Sequence, residues 1–400
     1  MVGIETAATF LIAGVASLFM AWAIGAGSSG STPFAPAVGA NAISVMRAGF
    51  VVGLLGFFGA VLQGANVTEA VGTELIGGVT LTATAAIVAL VVAATLVAVG
   101  VFSGYPIATA FTVTGAVVGV GLALGGDPAW GKYREILTLW TLTPFVGGGV
   151  AYLTARLLGW DAVDERRVTT ALAGLVGALL ANVEFAVLGP PDGSGSMVDA
   201  LAGLLELPRP AGVELEAVVA TLALAVLAAA VLAADLRRDL SGGQRRFLIV
   251  LGGLVAFSAG GSQVGLAIGP LVPLLGGSEA PLGALLAGGG LGLLAGSWTG
   301  APRMIKAISQ DYASMGPRRS IAALIPSFAI AQTAVAFGIP VSFNEIIVSA
   351  IVGAGYAAGD AGVSRSKMAY TVLAWIGSLV LALFLGFGVF SGVDAILGVG

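Results

Sequence analysis

Apolar runs of about 17–25 residues, separated by short polar stretches, fill most of the chain, and each is long enough for a helix to cross a bilayer. They lie near 5–27, 46–65, 75–101, 105–125, 136–158, 168–189, 213–234, 246–266, 280–300, 319–338, 342–362 and 367–390. This pattern predicts an all-α polytopic membrane protein with about 12 transmembrane helices. Short half-helices are expected after the first and eighth runs, near 32–44 and 267–276. The segment 301–318 is too polar to span. It reads equally as an amphipathic stretch at the inner surface or as a solvated loop.

Two of the runs end in the same way. Gly25-Ala-Gly-Ser-Ser-Gly-Ser-Thr-Pro-Phe-Ala-Pro36 and Ala259-Gly-Gly-Ser-Gln-Val-Gly-Leu-Ala-Ile-Gly-Pro270 both turn Gly-rich and hydroxyl-rich before meeting a proline. The offset from Ser28 to Ser262 is 234, and so is that from Pro36 to Pro270. The same offset carries Gly104-Tyr-Pro106 onto Gly338-Ile-Pro340, and Gly119 and Gly121 onto Gly353 and Gly355. Gly and Pro are common in any membrane helix, but an ungapped register across all these positions indicates an internal repeat. Paired interrupted segments in two halves point to a transporter binding site. The expected organisation is a repeat at 1–160, connecting helices and an external loop at 161–245, and a second repeat at 246–400.

Positive charge sets the expected orientation. Arg156, Arg166 and Arg167 mark one cytoplasmic loop, and Arg237, Arg238, Arg245 and Arg246 a second. Arg303, Lys306, Arg318 and Arg319 mark a third, and Arg365 with Lys367 a fourth. Counting spans between them puts both termini outside and makes the 190–212 segment external, so the two repeats are inverted. The N-terminus, with Glu5 and no basic leader, is not expected to be a cleaved signal.

Composition narrows the function. Hydrophobic residues make up 58% of the 400 and charged residues 10%, where a soluble protein carries about 25%. With no cysteine or histidine, thiolate and imidazole metal sites are excluded and no catalytic constellation is found, so no cofactor and no enzyme activity is expected. A net charge of −4 without a long basic run argues against nucleic acid as a partner.

The chemistry must come from the breaks. Freed backbone is tolerated in a membrane only where it lines a cavity or is buried in protein. Half-helix N-termini there present N–H groups and a positive dipole end, which suits an anion. Hydroxyls and amides extend that donor set: Ser28, Ser29, Ser31, Thr32, Ser262 and Gln263 in the first pair of breaks, Thr109, Thr112, Ser342 and Asn344 in the second. Serine and threonine can also simply satisfy helix backbone. A coupling cation, Na+ or H+, wants a carboxylate. Glu345 is the acid within the breaks, and Glu184, beside Asn182, is the other candidate.

The segment Ala256-Phe-Ser-Ala-Gly-Gly-Ser-Gln-Val-Gly-Leu-Ala-Ile-Gly-Pro-Leu271 resembles the signature AFSHGANDVANAIGPL of the PiT inorganic phosphate transporter family. Phe34-Ala-Pro-Ala-Val-Gly39 resembles the end of its partner signature. Gly338-Ile-Pro-Val-Ser342 resembles GxPVSTTH, and Tyr105-Pro106 the N-half LPxSSSH motif. The family's Asn-Asp pairs read Ser28-Ser29 and Ser262-Gln263 here, and its later Asn reads Thr32 and Leu266. Its motif histidines read Ala259, Phe111 and Glu345. By resemblance, binding of phosphate and the coupling ion falls on Ser28, Ser29, Thr32, Thr109, Ser262, Gln263 and Ser342.

The resemblance implies a homodimeric secondary transporter of inorganic phosphate in the plasma membrane, surrounded by lipid and working by alternating access. With both aspartates replaced, a permease for sulfate or another oxyanion is an alternative. A non-transporting anion-binding membrane protein is the other.

Overall fold

The computed structural model describes residues 4–189, 194–204, 214–275, 282–359 and 363–398. They are almost entirely helical. The first repeat holds α1 (Ile4–Gly27), α2 (Ala35–Gly39), α3 (Val45–Gln63), α4 (Ala65–Thr73), α5 (Ala83–Ser103), α6 (Thr109–Ala123) and α7 (Trp130–Leu158). Then come α8 (Glu165–Ala181), α9 (Met197–Ala202) and α10 (Leu215–Arg238). The second repeat holds α11 (Leu240–Ile268), a 3-10 segment (Gly269–Leu275), α12 (Leu282–Thr299), α13 (Ala301–Asp311), α14 (Pro317–Ala336), α15 (Phe343–Tyr356) and α16 (Arg365–Leu397). Two two-residue strands, β1 (Ile76–Gly77) and β2 (Asp127–Pro128), pair antiparallel. The 190–212 segment falls largely outside the described residues.

Each of the twelve predicted runs contains a helix, but among the described residues nine are long and apolar enough to span. The other three are shorter for identifiable reasons. Helices α6 and α15, of 15 and 14 residues, start only after Pro106 and Pro340, so each approaches the membrane centre as extended chain. Helix α8 spends its first turn on Glu165-Arg-Arg167. Two further differences are local. Residues 75–82 form a loop with β1 rather than the start of α5, and α4 was not expected at all. The 301–318 segment is the amphipathic option: α13 buries Ala301, Met304, Ile305 and Ile308 on one face.

The repeat is visible in geometry. Gly104 and Gly338, 234 positions apart, both adopt positive φ (76° and 59°), a conformation glycine enters without a Cβ penalty. Each ends a helix and releases the chain toward its proline. Packing between the halves is reciprocal: α3 lies on α11 as α12 lies on α1, and α6 lies on α16 as α15 lies on α7. Glycines allow the closest of these approaches. A Cβ at Gly59 would land on the Phe257 carbonyl, and one at Gly25 on the Leu293 carbonyl. Such small-residue contacts are how helices approach closely where lipid offers no hydrophobic drive.

The predicted basic clusters are tied together by side-chain bonds. Arg318 pairs bidentately with Glu165, both bonds 2.7 Å, and Gln244 donates to the same carboxylate at 2.6 Å. Lys367 pairs with Asp311 at 3.3 Å, and Arg246 with Asp235 at 2.7 Å. Glu165 thus joins the N-terminal ends of α8, α11 and α14. The Arg318 hydrogen bond is the chief cause holding its carboxyl below the usual glutamate range. A lowered folded value gives stabilisation that is complete above the unfolded glutamate value and is lost as pH falls through the folded one. Thermal unfolding in detergent is therefore expected to show an acid-side loss of stability that Glu165→Gln diminishes. Identical acid profiles for the two proteins would remove this ion pair from the account.

Candidate functional site

Three chain breaks and one continuous helix, α11, meet inside the bundle. Helix α1 stops at Gly27, where Gly25, Gly27 and Gly30 flank two serines and Pro33 blocks continuation. The Ser28 and Ser29 amides still reach the Ile24 carbonyl at 2.8 and 3.1 Å, closing the last turn. Opposite it, α6 and α15 point their N-termini inward after Pro106 and Pro340. The fourth expected break is absent. Ser262 and Gln263 lie within α11, which stays helical to Ile268 and loosens to 3-10 only from Gly269. Of the five residues between Ser262 and Ile268 only Gly265 is a glycine and none is a proline, whereas in the first copy Gly30 and Pro33 follow the serines directly.

Gln263 is the hub. Its Oε1 accepts from Thr109 Oγ1 at 2.8 Å and from Ser28 Oγ at 3.1 Å, while its Nε2 donates to the Val341 carbonyl at 2.5 Å. Thr109 Oγ1 also lies 3.3 Å from Ser28 Oγ. Asn344, the second residue of α15, donates to the carbonyls of Gly27 at 2.9 Å and Ile107 at 2.6 Å. These bonds join α1, α6, α11 and α15 across both repeats.

Ser28, Ser29, Thr32, Thr109, Ser262, Gln263, Ser342, Asn344 and Glu345 are all 2% exposed or less. The hydroxyls of Ser29, Ser262 and Ser342, Asn344 Oδ1 and Glu345 Oε2 have no hydrogen-bond partner. A buried polar group left unpaired costs about 1–3 kcal/mol, so several orphans at one junction make it the candidate place for a ligand. Among the described residues no lysine or arginine is buried. Any anion here would be held by hydroxyls, amides and helix N-termini alone.

Other candidates have local roles. Thr32 and Ser31 donate to the Ser28 carbonyl at 3.0 and 3.2 Å and close the turn after α1. Thr112 donates to Ala108 within α6. Glu184 is exposed, accepts a bond from Ser194, and lies outside the junction.

Two features escaped the sequence reading. Trp140 on α7 donates to the Pro340 carbonyl, and Trp375 on α16 donates to the Pro106 carbonyl, both at 2.8 Å. Each repeat thereby pins the other's proline break. The tryptophans are 235 apart, one position off the repeat offset, a spacing that could have flagged them. Phe111, at a position where the resemblance expected histidine, stacks on Trp140 with centroids 3.8 Å apart. The second feature is an amide pair: Gln63 and Gln332 exchange bonds of 3.3 Å, with Gln332 also donating to Ser258 at 2.6 Å. Ser258 sits one helical turn before Ser262, and Gln63 donates onward to the Glu184 carbonyl at 2.7 Å. Amides inside apolar runs are the signal that pointed there.

A sequence profile described as the phosphate transporter family matches residues 10–386. A Thermococcus kodakarensis protein named "Putative phosphate permease TK2061" is 25% identical over 393 residues, covering 93% of this chain and 94% of the relative. The Arabidopsis thaliana "Inorganic phosphate transporter 2-1, chloroplastic" is also 25% identical, over 90% of this chain and 68% of the relative. A solved structure described as "The sodium-dependent phosphate transporter" superposes with a TM-score of 0.80 at 21% identity, covering 98% of this chain and 100% of that one, which shows a shared fold. With a profile that spans nearly the whole chain, this multi-pass membrane protein belongs to the phosphate transporter family.

Proposed function

We propose that this chain carries inorganic phosphate across the plasma membrane as a secondary transporter working by alternating access. The observation that carries the reading is the buried junction of three breaks with α11, where three unpartnered serine hydroxyls accompany two inward-facing helix N-termini. Ser29, Ser262 and Ser342 would donate to the oxyanion. The Ser28–Thr109–Gln263 cluster would hold the breaks in register. Residues 1–160 and 246–400 would act as inverted repeats rocking about this junction, with both termini outside. Lipid or a second copy of the chain would cover the exposed apolar faces of α10 and α16.

Glu345 supports cation coupling. It is buried near the start of α15, and an ionised carboxylate so placed needs a counter-charge, while a neutral one needs a proton. Na+ or H+ meets that need, with Asn344 Oδ1 and the nearby hydroxyls as further oxygen ligands. Glu345→Gln is expected to change the sodium or pH dependence of uptake; an unchanged profile would exclude Glu345 as the coupling group.

The test of the whole reading is uptake of labelled phosphate and sulfate into proteoliposomes, with and without sodium and a pH gradient. Phosphate uptake above protein-free vesicles is the expected result. Uptake of sulfate alone would remove phosphate, and tight anion binding without flux would make the chain a non-transporting binder.

A further inference from the structure

A second site lies at the end of the bundle that carries the basic clusters. A cavity of about 440 Å³ opens between the N-terminal parts of α3 and α11, lined by Met46, Arg47, Phe50, Val51, Arg245 and Ile249 with Ala42 and Ile43. No acidic residue lines it. Arg245 is tethered by donating from Nε to the Ala42 carbonyl at 2.7 Å. Arg47 has no hydrogen-bond or ion-pair partner among the described residues. It also sits in the first turn of α3, at the positive end of the helix dipole, where a cation is disfavoured unless an anion answers it. The other wall is apolar and open to the surroundings: Met46 is 69% exposed and Phe50 53%. Phe50 is held in place by stacking on Trp298, with centroids 5.2 Å apart, and by the Trp298 indole donating to its carbonyl at 3.2 Å.

We propose that this groove binds one anionic phospholipid, its headgroup phosphate between Arg47 and Arg245 and its acyl chain along Met46, Phe50 and Ile249. A soluble anion would use the two guanidiniums but leave the apolar wall uncovered. A zwitterionic lipid would cover the wall but leave the charge uncompensated. Only a negatively charged amphiphile answers both features. The location fits, because basic residues at the cytoplasmic surface face the leaflet rich in anionic lipid.

The test uses the full-length protein in detergent and reads lipid retention by native mass spectrometry. Phosphatidylglycerol is titrated against phosphatidylcholine, with glycerol 3-phosphate as a soluble competitor. Preferential retention of phosphatidylglycerol is expected. The double variant Arg47→Gln/Arg245→Gln should weaken it about tenfold or more, given about 1 kcal/mol per basic residue. Glutamine at 245 can still donate to Ala42, which limits harm to the fold, and unchanged size-exclusion and circular-dichroism profiles check this. The control Arg237→Gln/Arg238→Gln removes two exposed arginines of α10 outside the groove and should leave retention unchanged. Equal retention of both lipids, an undiminished preference in the groove variant, an equal loss in the control, or displacement by glycerol 3-phosphate would each overturn the proposal.

Discussion

Gln263→Leu is expected to abolish phosphate uptake and to lower stability by about 3–9 kcal/mol, because it strands three buried partners at about 1–3 kcal/mol each. Thr109 and Ser28 would lose their shared acceptor, and the Val341 carbonyl would lose its donor. That carbonyl belongs to the extended stretch between Pro340 and the start of α15, outside any helical ladder, so a side chain must satisfy it. The three bonds explain why an amide stands at this position. A carboxylate could accept from both hydroxyls but could not donate to Val341. Gln263→Glu is therefore expected to be destabilising as well, because an ionised carboxylate at this fully buried position would face the Val341 carbonyl without a counter-charge. Thermal unfolding in detergent and uptake in proteoliposomes measure the two effects separately. Wild-type melting and uptake for the leucine variant would reduce the cluster to incidental contacts.

This hub also shows what could be seen in the sequence and what could not. Repeat spacing located the breaks after Gly27 and at Pro106 and Pro340, because Gly and Pro act on the backbone locally and need no partner to do so. Gly104 and Gly338 keep their equivalence down to the sign of φ. Pairing across the breaks was not legible in the same way. Ser28 aligns with Ser262 in the repeat, yet it bonds to Gln263 of the other half, since sequence spacing does not encode how helices far apart in the chain meet. Hydroxyls were ambiguous for a related reason. Nothing in the chain separates Thr32, which serves its own turn, from Ser29, which has no protein partner. The short α4 escaped because Asn66, Thr68 and Glu69 interrupt its hydrophobic pattern, although packing against the 3-10 segment after α11 stabilises it.

The junction stays closed only if the seams beside it do, and these seams depend on glycine. Gly353 on α15 faces the Gly148 carbonyl on α7, and Gly119 on α6 faces the Leu383 carbonyl on α16. A Cβ at either glycine would overlap backbone atoms of the neighbouring helix, which cannot rotate aside as a side chain would. Overpacking a core by a few methylenes costs about 1–3 kcal/mol when side chains can give way. Here whole helices must separate, so Gly353→Val and Gly119→Val are each expected to exceed that range and to yield little monodisperse protein. Gly149 lies beside Gly148 on α7, but a Cβ there meets nothing within 4 Å. Gly149→Ala should fold normally, with helix propensity shifting stability by about 1 kcal/mol in its favour. Size-exclusion profiles and melting temperatures of the three variants compare the cases directly. The consequence reaches the proposed binding residues: α15 carries Ser342, Asn344 and Glu345 at its tip, and α6 carries Thr109. If valine at 353 or 119 proved as harmless as alanine at 149, the close approach that aims those tips at Ser28 and Gln263 would be wrong.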